Sequence, residues 1–430
     1  VVQSWLGRVN RRTPDFVMTI FGAICLLLIA AKGAAQLWLE RVNDKHVQAH
    51  ANEIPEALRG VTTPEAYAKS VDYTLAKSRL GKIELTWGAL ILTAALFSGF
   101  LPWLWGKFPA HSIWGGAGFI FAAGVLLSLP DLPLEWYHQF RLEERFGFNT
   151  TTQRLWWMDR VKGFALAIVI GLPLLALILK LVDRLGAWWW IWAWACMMIF
   201  QLVMMVVAPV LILPLFNKFT PLPEGALRER LVALGERAGF RSKDIQVMDG
   251  SKRSRHSNAF FTGFGRFRKI IIFDTLAEQL EAAELESVLA HEIGHNKKHH
   301  IPKMLTASMA AALFGFFLIS QLMKQDWFYQ TFGFEQGGAA PAILLFGLLA
   351  GTATFWISPL TNYFSRRYEY EADAYAAALV KATAPLIGAL RKLNEKNLSN
   401  LTPHPAYSRF YYSHPTLLER EAALKQTETA

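Results

Sequence analysis

The chain has 430 residues, of which 53% are hydrophobic and only 18% charged, with 16 Trp and 30 Phe. That balance excludes a string of ordinary soluble domains, and several uninterrupted apolar stretches reach the roughly 20 residues needed to cross a bilayer. The formal net charge of +10 fits loops beside a membrane, because no basic patch interleaved with aromatics marks a nucleic-acid groove, and no nucleic-acid partner is expected.

The predicted elements begin with Arg8, Arg11 and Arg12 ahead of an apolar stretch. It is too long for a signal peptide, and no convincing small-residue cleavage site follows. Span one is expected at 16–39, with Lys32 as its one charge. A polar connection containing Pro55 and Pro64 leads to span two at 85–105 and span three at 113–134, the latter broken late by Pro130 and Pro133. A charged loop is expected over 135–162. Span four follows at 163–182 and span five at 188–216. Span five opens with Trp188, Trp189, Trp190, Trp192 and Trp194, a cluster suited to the membrane–water interface, and Pro209 and Pro214 should kink it or end it irregularly. Residues 217–303 form the first substantial soluble segment. It reads as a helix from Pro223 to about Gly239, a short strand at 245–248, and strands at 257–262 and 269–273 joined by the Gly263-Phe264-Gly265 turn region. A helix over 275–299 comes next, with Pro302 as its stop. Spans six and seven are expected at 304–323 and 340–363, before a polar, mostly helical segment at 364–430.

The predicted fold is therefore a mainly α, multi-span membrane protein. It has about seven transmembrane helices and a cytoplasmic α+β region. Four parts are expected: spans one to five in 1–216, a soluble segment in 217–303, spans six and seven in 304–363, and a cytoplasmic helical tail in 364–430. The two cysteines, Cys25 and Cys196, both lie in apolar stretches. They exclude a disulfide framework and a Cys-ligated zinc. The segment at 217–303 is rich in cations, among them Lys218, Arg228, Arg253, Lys297 and Lys298, and the tail adds Arg366, Arg367, Arg391 and Lys392. Both are expected on the cytoplasmic side. Seven spans then place the N-terminus outside, against the pull of Arg8, Arg11 and Arg12.

The chemistry centres on His291-Glu292-Ile293-Gly294-His295. Helical i,i+4 spacing puts both imidazoles on one face, about 5–6 Å apart at Cβ. Two neutral imidazoles so placed can bind one Zn²⁺, and Glu292 beside them can serve as general base toward the attacking water. The acidic residues Glu278, Glu281, Glu284 and Glu286 precede Lys297 and Lys298, the order a helix dipole favours. A third ligand must come from the same side of the bilayer. Asp326 and Glu335, between spans six and seven, lie on the other side. After span seven the chain reads Arg367-Tyr368-Glu369-Tyr370-Glu371-Ala372-Asp373. There Glu369 and Asp373 share a helical face while Glu371 points away. Glu369 is the expected third ligand of a single Zn²⁺, and Asp373 the residue orienting a ligating histidine. His299 stands too far along the helix from His291 to share its metal and is expected at the rim or surface. His300 reads either way, with the surface the expected place.

These residues, with 141–149, 214–223, 249–259, 273–276 and Ser413-His414-Pro415, resemble the type I CAAX prenyl proteases, integral-membrane zinc metallopeptidases. The resemblance covers nearly the whole chain. It implies seven transmembrane helices enclosing a large water-filled chamber, with zinc at the cytoplasmic end. It further implies cleavage of peptide bonds near a C-terminal cysteine bearing a farnesyl or geranylgeranyl group. By the same match His291, His295 and Glu369 are the ligands and Glu292 is the catalytic base. Asn258 belongs to an edge strand pairing with substrate backbone, and His414 and Arg420 lie near the scissile bond. From the residues alone, Asn258 reads equally well as a turn asparagine and His414 as a structural histidine. The tail lacks a dilysine-type signal, so a bacterial inner-membrane homologue is expected rather than a protein of the endoplasmic reticulum. Two rival functions stay open: a zinc protease for membrane-protein quality control, and a non-enzymatic transporter or receptor. The second is disfavoured because the spans hold few charges, Lys32 and Lys180 being the main ones.

Overall fold

The computed structural model describes residues 19–109, 111–239, 245–262, 269–335 and 337–429. Arg8, Arg11, Arg12 and the Gly263-Phe264-Gly265 turn region lie outside the described residues. Among the described residues seven helices are long and apolar enough to cross a membrane: Ile20–Ala49, Pro64–Phe97, Ile113–Phe146, Gln153–Arg184, Gly186–Phe216, His300–Leu322 and Ala339–Val380.

Most run past the bounds expected from hydropathy. Span two has 34 residues, about 51 Å of helix at 1.5 Å per residue, against a hydrocarbon core of about 30 Å. The extra turns carry charge, so a hydropathy window stops short of them. The loop expected over 135–162 is instead mostly helix, with span three reaching Phe146 and span four starting at Gln153. Pro130 and Pro133 do not break span three. Each sits in the first turn of a helical segment, Leu129–Asp131 and Leu132–Tyr137, where a missing N–H costs little. In span five a wider π turn over Ala208–Ile212 absorbs Pro209, and the helix resumes at Leu213–Phe216.

The two ends of the bundle differ. At one, Phe328 and Phe332 from the six–seven connection pack with Leu101 and Phe119, and the Thr19 and Thr331 hydroxyls bond at 2.7 Å. Asp326 belongs to this end. At the other, Asn43 in span one accepts from the backbone N of His404 at 3.1 Å and from Asn400 Nδ2 at 3.4 Å. The soluble segment and the C-terminal helices gather there.

The soluble core holds a four-stranded sheet of β1 (Phe219–Pro221), β2 (Ile245–Met248), β3 (Ala259–Thr262) and β4 (Lys269–Phe273). Its order is β1-β2-β4-β3, with β2 and β4 parallel and the outer pairs antiparallel. The sequence reading missed β1, a three-residue strand ending in Pro221, which only a sheet edge tolerates. The other edge is β3. Ile245, Ile270 and Ile272 pack against Leu285, Leu289 and Ile293 of the helix Ala282–Lys297, called the site helix below.

The single helix expected over 275–299 is two, Asp274–Gln279 and Ala282–Lys297. Leu280 and Glu281 between them are extended, and Glu281 and Glu284 form a reciprocal capping box that starts the second helix. Its end is not set by Pro302. His299 adopts a left-handed conformation, φ 56° and ψ 35°, which turns the chain, and Pro302 falls in the first turn of span six. The division expected at residue 363 falls inside span seven, whose helix continues as Ser358–Val380 and carries Glu369 and Asp373 to the site helix.

Candidate active site

The site forms where the site helix crosses the projecting end of span seven. Gly294 permits the approach. A Cβ there would lie 3.1 Å from both the Cα and the carbonyl oxygen of Ala372. Contact with backbone leaves little room to yield, so Gly294→Val should force the helices apart. We expect this variant to fold with at least tenfold weaker metal binding, read by chelator competition.

His291 and His295 stand one turn apart with their Nε2 atoms 3.2 Å from each other. Glu369 Oε2 lies 3.4 Å from His291 Nε2, and its Oε1 lies 3.2 Å from His295 Nε2. Donor atoms held tetrahedrally at about 2.0–2.1 Å from one ion stand about 3.3 Å apart, and one ligand atom from each of the three residues lies within 4.8 Å of the other two, so the triangle of residues is compact enough for a single metal ion. Glu369 Oε2 is buried and makes no hydrogen bond, a costly state for a carboxylate that a cation relieves. The surroundings favour positive charge. Burial alone would lower the His291 pKa, but the Asp373 and Glu369 carboxylates outweigh it and raise the imidazole to about 9.

Behind this triangle lies a buried chain of contacts. His291 Nδ1 donates to Asp373 Oδ1 at 2.8 Å. Arg420 Nε and Nη2 grip the same carboxylate at 2.8 and 2.5 Å, a fork that fixes Asp373 in orientation. Arg420 Nη1 also lies 3.7 Å from Glu369 Oε2. Arg420, expected at the scissile bond, thus sits behind the histidines with its guanidinium committed to Asp373.

The open side is framed by the other expected residues. His414 is exposed, with Nε2 3.4 Å from Glu369 Oε1 and Nδ1 2.9 Å from Ser413 Oγ. Glu292 lines a small recess with Ala259, Phe260, Ile272 and Val288, and burial pushes its carboxyl above the usual range. Ala259 and Phe260 belong to β3, so the sheet's free edge borders Glu292. Asn258 is exposed at the start of that edge. Its Oδ1 accepts from Ala259 N at 2.9 Å, and its carbonyl from Phe273 N at 3.1 Å.

The structure also corrects the placement of His300. His299 is exposed, but His300 is 1% exposed, with Nδ1 3.0 Å from His295 Nδ1 and Nε2 3.1 Å from Glu371 Oε2. Glu371 does point away from the triangle, as expected, and it ends on His300.

A bundle of seven candidate membrane helices, with a His–His–Glu triangle next to a free strand edge, is the arrangement of a membrane-embedded metallopeptidase. Residues 43–218 match the family described as CAAX prenyl protease N-terminal, five membrane helices, and residues 221–428 match peptidase family M48. The chain is similar to CAAX prenyl protease 1 of Saccharomyces cerevisiae, 36% identical over 86% of this chain and 88% of that one. It is likewise similar to the CAAX prenyl protease 1 homologues of Arabidopsis thaliana (36%, covering 86% and 90%) and Homo sapiens (32%, covering 94% and 95%). The crystal structure of S. mikatae Ste24p superposes with a TM-score of 0.88 at 32% identity, covering 94% of this chain and 99% of that chain. The protein belongs to the M48 family of CAAX prenyl protease-type peptidases, an integral, multi-pass membrane enzyme acting on peptides or proteins. The family resemblance carried by the sequence motifs is borne out.

Proposed function

We propose that this enzyme hydrolyses peptide bonds near the C-terminus of CAAX-type proteins or peptides whose C-terminal cysteine carries a farnesyl or geranylgeranyl group, using one Zn²⁺ per chain. The observation that carries the reading is the His291–His295–Glu369 group, its two Nε2 atoms 3.2 Å apart and each facing one oxygen of the Glu369 carboxylate at 3.4 and 3.2 Å, beside an open strand edge at one end of a helical membrane bundle. The names of the relatives supply the substrate class. The density of Lys and Arg around the site supports a cytoplasmic location.

His291, His295 and Glu369 would hold the ion, and their two-histidine, one-carboxylate chemistry suits zinc. When bound, Zn²⁺ supplies Lewis acidity, polarising the scissile carbonyl and acidifying a water. Glu292 takes the proton from the attacking water and delivers it to the leaving amine, a task its raised pKa favours. Substrate backbone adds to the free edge of β3 at Asn258. His414, reaching over Glu369 from the solvent side, donates a hydrogen bond to the developing oxyanion. Asp373 holds the His291 ring, and Arg420 holds Asp373.

Purified protein in detergent, given a farnesylated and a non-farnesylated CAAX peptide with and without a zinc chelator, tests the reading. Chelator-sensitive cleavage favouring the farnesylated peptide is expected. Chelator-sensitive cleavage indifferent to the lipid would move the substrate towards unfolded membrane proteins. Cleavage that persists through full metal removal would overturn the metal reading.

A further inference from the structure

His300 is a buried histidine that the mechanism above does not use. It is the first residue of span six, and the left-handed turn at His299 folds it back beneath the site helix. Its ring stacks on Tyr368 of span seven with centroids 4.4 Å apart and planes 16° from parallel, so it cannot swing freely. Its two nitrogens meet two different partners, His295 Nδ1 at 3.0 Å and Glu371 Oε2 at 3.1 Å.

The partners fix the protons. A carboxylate only accepts, so His300 Nε2 carries a hydrogen and donates to Glu371. In the neutral ring His300 Nδ1 is then an acceptor. His295 Nδ1 must therefore donate to it, which leaves His295 Nε2 bare and facing His291 Nε2 and Glu369. Only in that tautomer can His295 offer Nε2 to a metal ion. The arrangement parallels the other histidine, whose Nδ1 donates to Asp373.

We propose that His300 and Glu371 are positioning residues for metal binding, a relay from span seven through the first turn of span six that holds His295 in its ligating tautomer and ring orientation. This rests on the reading of His295 as a ligand. It gives the two histidines of the site separate supports: Asp373 with Arg420 behind His291, and His300 with Glu371 behind His295.

The test uses full-length protein in detergent, stripped of metal and titrated with Zn²⁺ against a competing chelator, with melting of the metal-free protein measured in parallel. His300→Phe keeps a ring to stack on Tyr368 but cannot accept a hydrogen bond. We expect its zinc affinity to fall about 10–100-fold while the metal-free protein melts within a few degrees of the parent. In His300→Asn the side-chain oxygen stands near the lost Nδ1, so most of the affinity should return. His300→Phe binding zinc as tightly as the parent would overturn the relay. So would equal losses in both variants, because a packing role is not rescued by an acceptor. A parent chain that takes up no zinc would instead overturn the ligand reading, and the relay with it, so the two failures are told apart.

Discussion

Glu292→Ala is expected to abolish peptide cleavage while leaving metal content at the parent level. Glu292 follows His291 on the site helix and lines the recess beside β3, within electrostatic reach of His291, His295 and Glu369 without being one of the three metal-ligating residues. Removing it takes no donor atom from the triangle and leaves both supports of the histidines intact. What is lost is the group that accepts the water proton. General-base contributions run to about 10²–10⁴-fold, and with no other carboxylate assigned to that recess the loss should reach the upper end. Turnover of the farnesylated peptide, read beside zinc content per chain, checks this. Normal turnover would remove Glu292 from the mechanism, and lost zinc would mean that it supports the site rather than acting in it.

Glu369→Ala should have the opposite signature, losing metal first and activity as a consequence. One oxygen of the carboxylate faces His291 Nε2 at 3.4 Å and the other faces His295 Nε2 at 3.2 Å. Residues that only orient a ligand cost about 10–100-fold in metal affinity when removed, so loss of a donor atom should exceed 100-fold. Glu369→Gln separates charge from shape, since it preserves volume and one acceptor oxygen while removing the negative charge. It should fold like the parent and still bind zinc far more weakly. Chelator competition measures both variants. Tight binding in Glu369→Ala would point to another carboxylate as ligand, with Glu371 the nearest in sequence.

The sequence made the chemistry of the site more legible than its supports. His-Glu-x-x-His fixes two side chains by helical geometry alone, and counting membrane crossings directs the search to Glu369 and Asp373. The run Lys297-Lys298-His299-His300, by contrast, has the composition of a solvated helix end. Only the packing of span six under the site helix turns His300 inward, and local sequence does not encode that turn. Arg420 was found by resemblance and placed at the substrate. The structure shows it forked onto Asp373, a long-range pairing that no local pattern signals. Helix ends were misread for another reason. Hydropathy reports where lipid stops, but spans two, three and seven continue as charged helices beyond it, so the loop expected over 135–162 became two helix ends and a short turn. The parallel pairing of β2 with β4 and the three-residue β1 were equally out of reach, because short strands take their partners from the tertiary fold.

The route of the chain between His295 and Glu369 bears on how the enzyme is made. Ribosomal synthesis delivers the two histidines first, and the chain must then cross the membrane and return before Glu369 exists on their side. Throughout that interval the nascent protein holds only two of the three donor atoms, and neither the Asp373–Arg420 clamp nor Glu371 has been synthesised. Arg420 comes last of these residues. The full set of His291, His295 and Glu369, and the residues that hold them in place, therefore exists only after spans six and seven have been made.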